Sequence, residues 1–156
     1  MTRYLRKATA EDVAFLATRL READRQEVEA TGVTPFEALY DGLHLSDNAL
    51  TMLHPDGEPV GMCGVGTFLA EPIRCGAVWM LGTDRIKTAP TVFLRESKRW
   101  VDDQFNTYQL LCNFVDERND VHVKWLKWLG FKFIARHPLH GVERRPFLEF
   151  VRIAHV

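Results

Sequence analysis

The chain has 156 residues, 46% of them hydrophobic in type, enough to bury a core without disulfide or metal staples. Twenty Lys and Arg against 21 Asp and Glu leave a formal net charge of −1, spread along the chain. That balance removes the usual electrostatic warrant for binding nucleic acid or an anionic membrane, and no apolar run approaches the roughly 20 residues of a membrane span.

Arg3, Arg6 and Lys7 near the start are not followed by the apolar segment of a signal peptide. Cys63, Cys75 and Cys112 are odd in number and lack Cys-x-x-Cys spacing, so they read as thiols in a reducing compartment. A cytoplasmic address is the expectation. His44, His54, His122, His137, His140 and His155 form no His-x3-His pair, so no metal site is expected. His137 and His140 flank Pro138 and read as a surface loop.

With no linker or repeat in sight, one domain over residues 1–156 is expected. Residues 3–7 read as a short strand. Thr9 and Asp12 form a capping box, and Val13, Leu16, Ala17 and Leu20 recur at helical spacing, predicting one helix that runs toward Ala30 and stops at Gly32. Thr34-Pro35-Phe36-Glu37 opens a second, short helix that should end near Asp41-Gly42. Residues 49–53, the turn Pro55-Asp56-Gly57 and residues 59–68 read as a hairpin. Gly61, Gly64 and Gly66 in its second arm signal a bulge or a close approach. They precede no helix and make no dinucleotide fingerprint.

Residues 77–81 are a buried strand in prospect, and Pro90 opens a helix to Phe105. Residues 108–115 form another strand, and Asn119 or Asp120 caps a helix over 121–129 that Gly130 ends. Residues 131–135 and 147–153 are the last strands, joined by a loop containing Pro138, Gly141 and Pro146. The predicted order, β-α-α-β-β-β-α-β-α-β-β, argues an α/β fold with a mixed sheet and helices on both faces.

Residues 119–131, from Asn119-Asp120-Val121-His122 to Leu129-Gly130-Phe131, resemble the motif of the GNAT (Gcn5-related N-acetyltransferase) superfamily, in which Asn opens a helix that closes on Leu-Gly-Phe. Asn113, Asn119, His122, Leu126-Lys127 and Gly130, with Thr83-Asp84-Arg85-Ile86, also resemble small GNAT-like proteins of short-tailed bacteriophages, among them internal virion and assembly proteins. The resemblance implies a mostly antiparallel GNAT sheet that binds acetyl-CoA where two parallel strands splay. It places the pantetheine along the strand Met80 to Thr83, with cofactor contacts at Leu81, Gly82 and Thr83 and N–H groups near Leu81 to Thr83 polarising the thioester carbonyl, and the pyrophosphate at the next helix start. Lys87, Thr88, Asn113 and Asn119 complete the expected cofactor-binding set.

The pattern departs in two places. Residues 84–91 contain no glycine, and Pro90 donates no N–H. Arg85 and Lys87 offer charge, and Thr88 reads either as a phosphate-facing hydroxyl or as a helix N-cap. Where relatives carry a proton-donating Tyr, this chain has Leu126. His122 is the nearest titratable group, as catalytic acid or base or as a capping and packing residue. Asp84 and Glu71 are candidate bases that read equally as loop carboxylates. Asp116-Glu117-Arg118 reads as an exposed loop face.

Trp125 and Trp128 with Phe131, Phe133, Lys124 and Lys127 form either core with lysines along it or a stacking platform. Three functions follow: acetyl transfer from acetyl-CoA to an amine; a catalytically degenerate phage protein acting in virion assembly or on a host protein; and, disfavoured by the charge balance, nucleic-acid binding.

Overall fold

A computed structural model describes residues 3–70 and 72–154; Glu71 and His155 lie outside them. After the strand β1 (Leu5–Lys7), Thr9 caps the helix α1 (Ala10–Ala17) through the expected box with Asp12. The Asp12 carboxylate also accepts from Arg6 at 2.7 Å and from the Thr51 hydroxyl at 2.7 Å, so the cap ties the helix to the sheet.

The predicted long helix is two. α1 ends at Ala17 and α2 (Glu22–Ala30) starts after a break in which Leu20 bridges to Thr83 and the Arg21 N–H donates to the Gly82 carbonyl at 2.9 Å. A pairing with a distant strand end overrides a helical pattern that runs on without local interruption. The break also rotates α2 so that it buries Asp24 and Glu27 beside Val28 and Ala30.

The helix α3 (Pro35–Leu45) opens with the predicted capping box at Thr34 but runs past Gly42. Gly42 is a contact residue, not a stop: a Cβ there would lie 2.5 Å from Cζ2 of Trp79. Gly64 serves the same indole, since its Cβ would fall 2.9 Å from Trp79 Nε1. The expected close approach is therefore made by a tryptophan of this chain.

The remaining elements are β2 (Leu50–Leu53), β3 (Pro59–Ala70), β4 (Ile73–Gly82), a 3₁₀ turn (Asp84–Thr88), α4 (Thr91–Gln104), β5 (Leu110–Asp116), α5 (Asp120–Trp128), β6 (Lys132–His140) and β7 (Arg145–Ile153). They build one seven-stranded sheet in the order β1-β2-β3-β4-β5-β7-β6. Among the described residues only the β4–β5 pair is parallel. This is the mixed, mostly antiparallel α/β architecture expected.

The last hairpin is longer than predicted. Pro138 and Pro146 lie inside β6 and β7, and the connection is only residues 141–144. β6 is an edge strand whose register shifts between His137 and His140, and an edge with a bulge accepts a residue that cannot donate. His137 and His140 are thus strand residues, half-buried.

Side chains alternate across the sheet. Trp79 and Leu81 pack with Val13, Leu16, Val28 and Leu39 beneath α1–α3. Val78 packs with Val101, Leu126 and Leu129 beneath α4 and α5, and Met80 with Phe93. Leu126, 3% exposed, is core. Trp125, Phe131 and Phe133 join the same packing, whereas Trp128 stays 46% exposed beneath Lys98. No helix among the described residues is long and apolar enough to cross a membrane.

Candidate active site

β4 and β5 pair only at Cys75–Leu110, Gly76–Leu111 and Ala77–Cys112. Beyond that point residues 78–82 and 113–116 part, and a notch opens in the sheet. The Thr83 N–H donates to the Val60 carbonyl at 2.8 Å, which fixes the alternation of the β3–β4 ladder. Residues 79 and 81 spend their backbone groups on β3, as Thr83 does its N–H, and residues 78, 80 and 82 turn theirs toward the notch. Leu81 and Thr83 therefore present no N–H to it. The notch-facing groups are those of Val78, Met80 and Gly82.

Side chains close both ends. At the apex the Asn113 amide donates to the Val78 carbonyl at 3.0 Å. At the far end the Gly82 N–H donates to Asp24 at 2.9 Å. Asp24 also accepts from Arg21 Nε at 3.2 Å and Nη2 at 2.8 Å, and from the Asn119 amide at 2.8 Å. Four donors fill the four acceptor sites of one carboxylate. Asn119, at the N-cap position of α5, makes no side-chain cap bond because its amide is committed here, with Arg21 donating to its carbonyl at 3.1 Å.

Between the two ends lie Glu27 and His122. One Glu27 oxygen accepts from the Asp116 N–H at 2.7 Å, so α2 holds β4 through Asp24 and β5 through Glu27. The other oxygen is 3.9 Å from Nδ1 of His122, a buried nitrogen with no hydrogen-bond partner. Burial pushes the Glu27 carboxyl up to about 8, against the Asp116 N–H and with the charges of Asp24 and Asp116 adding to it. Burial holds His122 down at about 4, opposed by Asp24 and assisted by Arg21. Near neutral pH the pair is a protonated carboxyl beside a neutral imidazole.

Two cavities meet at this point. One of about 340 Å³ opens under α2 and α3 and includes Glu27, Trp79, Phe114 and His140. The other, of about 190 Å³, lies between α4 and α5 and includes Ile86, Lys87, Phe93 and Trp125. Met80 and His122 line both. The two residues stand as a shared wall between a cavity on one face of the sheet and a cavity on the other.

The other predicted residues are placed unevenly. Asp84 is exposed at the start of the 3₁₀ turn, 3.6 Å from Lys87 Nζ, in a third recess beside Arg118 and Asn119. Lys87 borders both that recess and the α4–α5 cavity. Arg85 turns away to pair with Asp56 at 2.8 Å and with Glu58. Thr88 is not an N-cap of α4, which starts after Pro90; its hydroxyl donates to the Arg85 carbonyl at 2.8 Å. Asp116, expected on an exposed loop face, is 1% exposed and pairs with Arg118 at 2.7 Å.

Asp24, Glu27 and His122 bring ligand atoms within 4.8 Å of one another. With Asp24 saturated, only Glu27 and His122 keep lone pairs, too few to hold a structural or catalytic metal on their own. Sequence reasoning missed Arg21, Asp24 and Glu27. The available signal was the pairing of Asp24 and Glu27 with Val28 and Ala30, acids sharing the only apolar stripe of a polar helix.

The chain matches no protein-family model and no curated protein. It does match solved structures. A GNAT-family acetyltransferase from Streptococcus pneumoniae superposes with a TM-score of 0.62 at 16% identity, covering 97% of this chain and 98% of the other. An aminoglycoside N(6')-acetyltransferase from Legionella pneumophila gives 0.70 at 11%, covering 98% and 94%. A spermidine N-acetyltransferase from Vibrio cholerae, in complex with CoA and spermine, gives 0.67 at 12%, covering 96% and 94%. The chain has the fold of the GNAT acetyltransferases.

Proposed function

We propose that this chain is an N-acyltransferase that moves an acetyl group from acetyl-CoA to an amine, as a cytoplasmic protein of the kind short-tailed phages encode. The observation that carries the reading is the pair of cavities that meet at Met80 and His122, one on the α4–α5 side suited to a donor and one on the α2–α3 side suited to an acceptor. Acetyl-CoA supplies an activated carbonyl, where a C–N bond forms as the C–S bond breaks.

This chain's residues do the rest. The Met80 N–H, not those of Leu81 to Thr83, is the donor aimed into the notch, where a developing oxyanion is best stabilised. Once Glu27 is ionised, its oxygen and the free Nδ1 of His122 are two acceptors facing one space, suited to hold an amine nitrogen. Glu27, with a carboxyl poised at about 8, takes the proton that leaves that nitrogen. His122, held at about 4, positions the amine as a neutral acceptor and does not carry the proton. Lys87 and the N–H groups at the start of α4 meet the pyrophosphate.

Titration calorimetry with acetyl-CoA, followed by thiol release on adding amines, tests the reading. Micromolar to low-millimolar binding supports it, and no heat at millimolar acetyl-CoA sinks it.

A second reading, a scaffold for virion assembly or for binding a host protein, is favoured by one specific observation. The Gly82 N–H is occupied by Asp24, and Arg85 is occupied by Asp56 and Glu58, so two groups expected to meet the donor are already used. That reading predicts no acetyl-CoA binding.

A further inference from the structure

We infer that the acceptor is a small primary amine on a flat apolar stem and without a carboxylate, such as an arylalkylamine, rather than an amino acid or a polyamine. The inference rests on the acyl-transfer reading for its chemistry, but the cavity that carries it stands by itself.

The α2–α3 cavity has one buried acid at its inner end, Glu27, and one exposed acid, Asp41, and no Lys or Arg among its described lining residues. A carboxylate on the ligand would be taken out of water beside Glu27 with no cation to meet it, a costly arrangement. Burial is what raises the affinity of Glu27 for a proton, and an ammonium set beside the carboxylate would offset the cost of its charge there.

The walls then select what carries that ammonium. Phe114, His140 and Phe147 form a row of rings, with Phe114 and His140 stacked at 4.8 Å and 23° and Phe147 tilted against His140 at 4.5 Å and 38°. Trp79 adds an indole whose Nε1 donates to Ser46 at 2.8 Å, which fixes its orientation. Rigid aromatic surfaces favour a planar apolar stem over a flexible chain that carries further charges. At about 340 Å³ the space lies at the small end of ligand pockets, which suits one ring and a short arm.

Two measurements on the full chain separate the class from the reaction. Thermal shift without acetyl-CoA compares phenethylamine, phenylalanine and spermidine at equal concentration. Phenethylamine should bind at least about tenfold more tightly than either, since phenylalanine brings the uncompensated carboxylate. Phe114→Ala should weaken phenethylamine several-fold and leave the acetyl-CoA affinity unchanged. Thiol release with acetyl-CoA then reads the transfer. Phenethylamine binding without thiol release keeps the acceptor class and removes the acyl-transfer reading. Equal or tighter binding of phenylalanine or spermidine overturns the class, whatever the transfer assay gives.

Discussion

Oε2 of Glu27 and Nδ1 of His122 face each other at 3.9 Å across the floor of a cavity, and the imidazole nitrogen is buried without a hydrogen-bond partner. The separation is too long for a direct hydrogen bond. When Glu27 is ionised, two unused acceptors at that spacing leave room for a nitrogen that donates to both, and several predictions rest on this pair.

The first concerns rate against pH. Glu27 accepts a proton from the amine only when ionised, so kcat/KM for a saturating-donor assay should rise from pH 6 and level off above the Glu27 value of about 8. The aliphatic amine itself stays cationic to about pH 10, near the lysine range, so the plateau belongs to the enzyme. Glu27→Gln should lower kcat/KM by about 10²- to 10⁴-fold, the usual worth of a general base, and remove the inflection. A rise of unchanged midpoint in the variant would assign the inflection elsewhere.

The same group sets a stability trend. Its folded-state value of about 8 lies above the ordinary 4.5, so the folded protein holds the Glu27 proton more tightly than the unfolded chain does. That stabilisation is complete below 4.5 and is lost as pH rises through about 8. A glutamine mimics the protonated form at every pH. Glu27→Gln should therefore match the wild type near pH 5 and melt about 5 °C or more higher near pH 9. His122 acts in the opposite direction, since its value falls from 6.5 to about 4 and stability is lost as pH drops through that window. Melting curves across pH for both proteins check the two signs.

Asp24 is the residue whose loss should cost most. It is fully buried and joins Arg21, Asn119 and the Gly82 N–H, tying the helix break, the start of α5 and the end of β4 together. Asp24→Ala leaves the Arg21 guanidinium, itself 4% exposed, without its ion-pair partner. Breaking a buried pair from one side costs about 3–5 kcal/mol, or roughly 10 °C of Tm for a chain of this size. Arg21→Met with Asp24→Leu should recover part of the loss, because removing both charges leaves neither stranded.

Lys87 carries the donor-side prediction. It is an exposed cation between the α4–α5 cavity and the recess beside Arg118, held only loosely by Asp84 at 3.6 Å. Lys87→Ala should weaken acetyl-CoA about three- to tenfold, an effect that shrinks as salt is raised, and leave Tm within about 1 °C. Arg85→Ala should instead lower Tm and spare acetyl-CoA, since Arg85 braces the β2–β3 turn through Asp56 and Glu58.

Element order, both capping boxes and the motif at residues 119–131 were legible in the sequence because each is written in neighbouring residues. The break at residues 18–21 was not, since it is made by Gly82, more than 50 residues away, accepting the Arg21 N–H. Asp24 and Glu27 were hidden for a related reason. Charged residues on a polar helix read as solvated, and only the break turns them inward. Arg85 and Thr88 were legible as charge and hydroxyl but not as to direction, which Asp56 and Glu58 on another hairpin decide for Arg85 and the Arg85 carbonyl decides for Thr88.

Gly42 and Gly66 both border the acceptor cavity, and the same substitution should have different outcomes at the two. A Cβ at Gly42 would sit 2.5 Å from Cζ2 and 2.6 Å from Cη2 of Trp79. The indole cannot swing aside cheaply, because its Nε1 is bonded to Ser46 and its ring packs in the α1–α3 core. Alanine normally gains about 1 kcal/mol over glycine inside a helix, but overpacking costs about 1–3 kcal/mol, and here the clash is with a ring held in place. Gly42→Ala should therefore lower Tm, and by shifting Trp79 it should weaken arylalkylamines while leaving acetyl-CoA affinity alone. At Gly66 the nearest atom to a Cβ is the Leu45 carbonyl oxygen at 3.7 Å, an ordinary contact. Gly66→Ala should leave Tm unchanged or raised, with little change in amine binding. Equal losses from both would mean that the cavity wall tolerates no added volume anywhere, and the special place of Trp79 would fall.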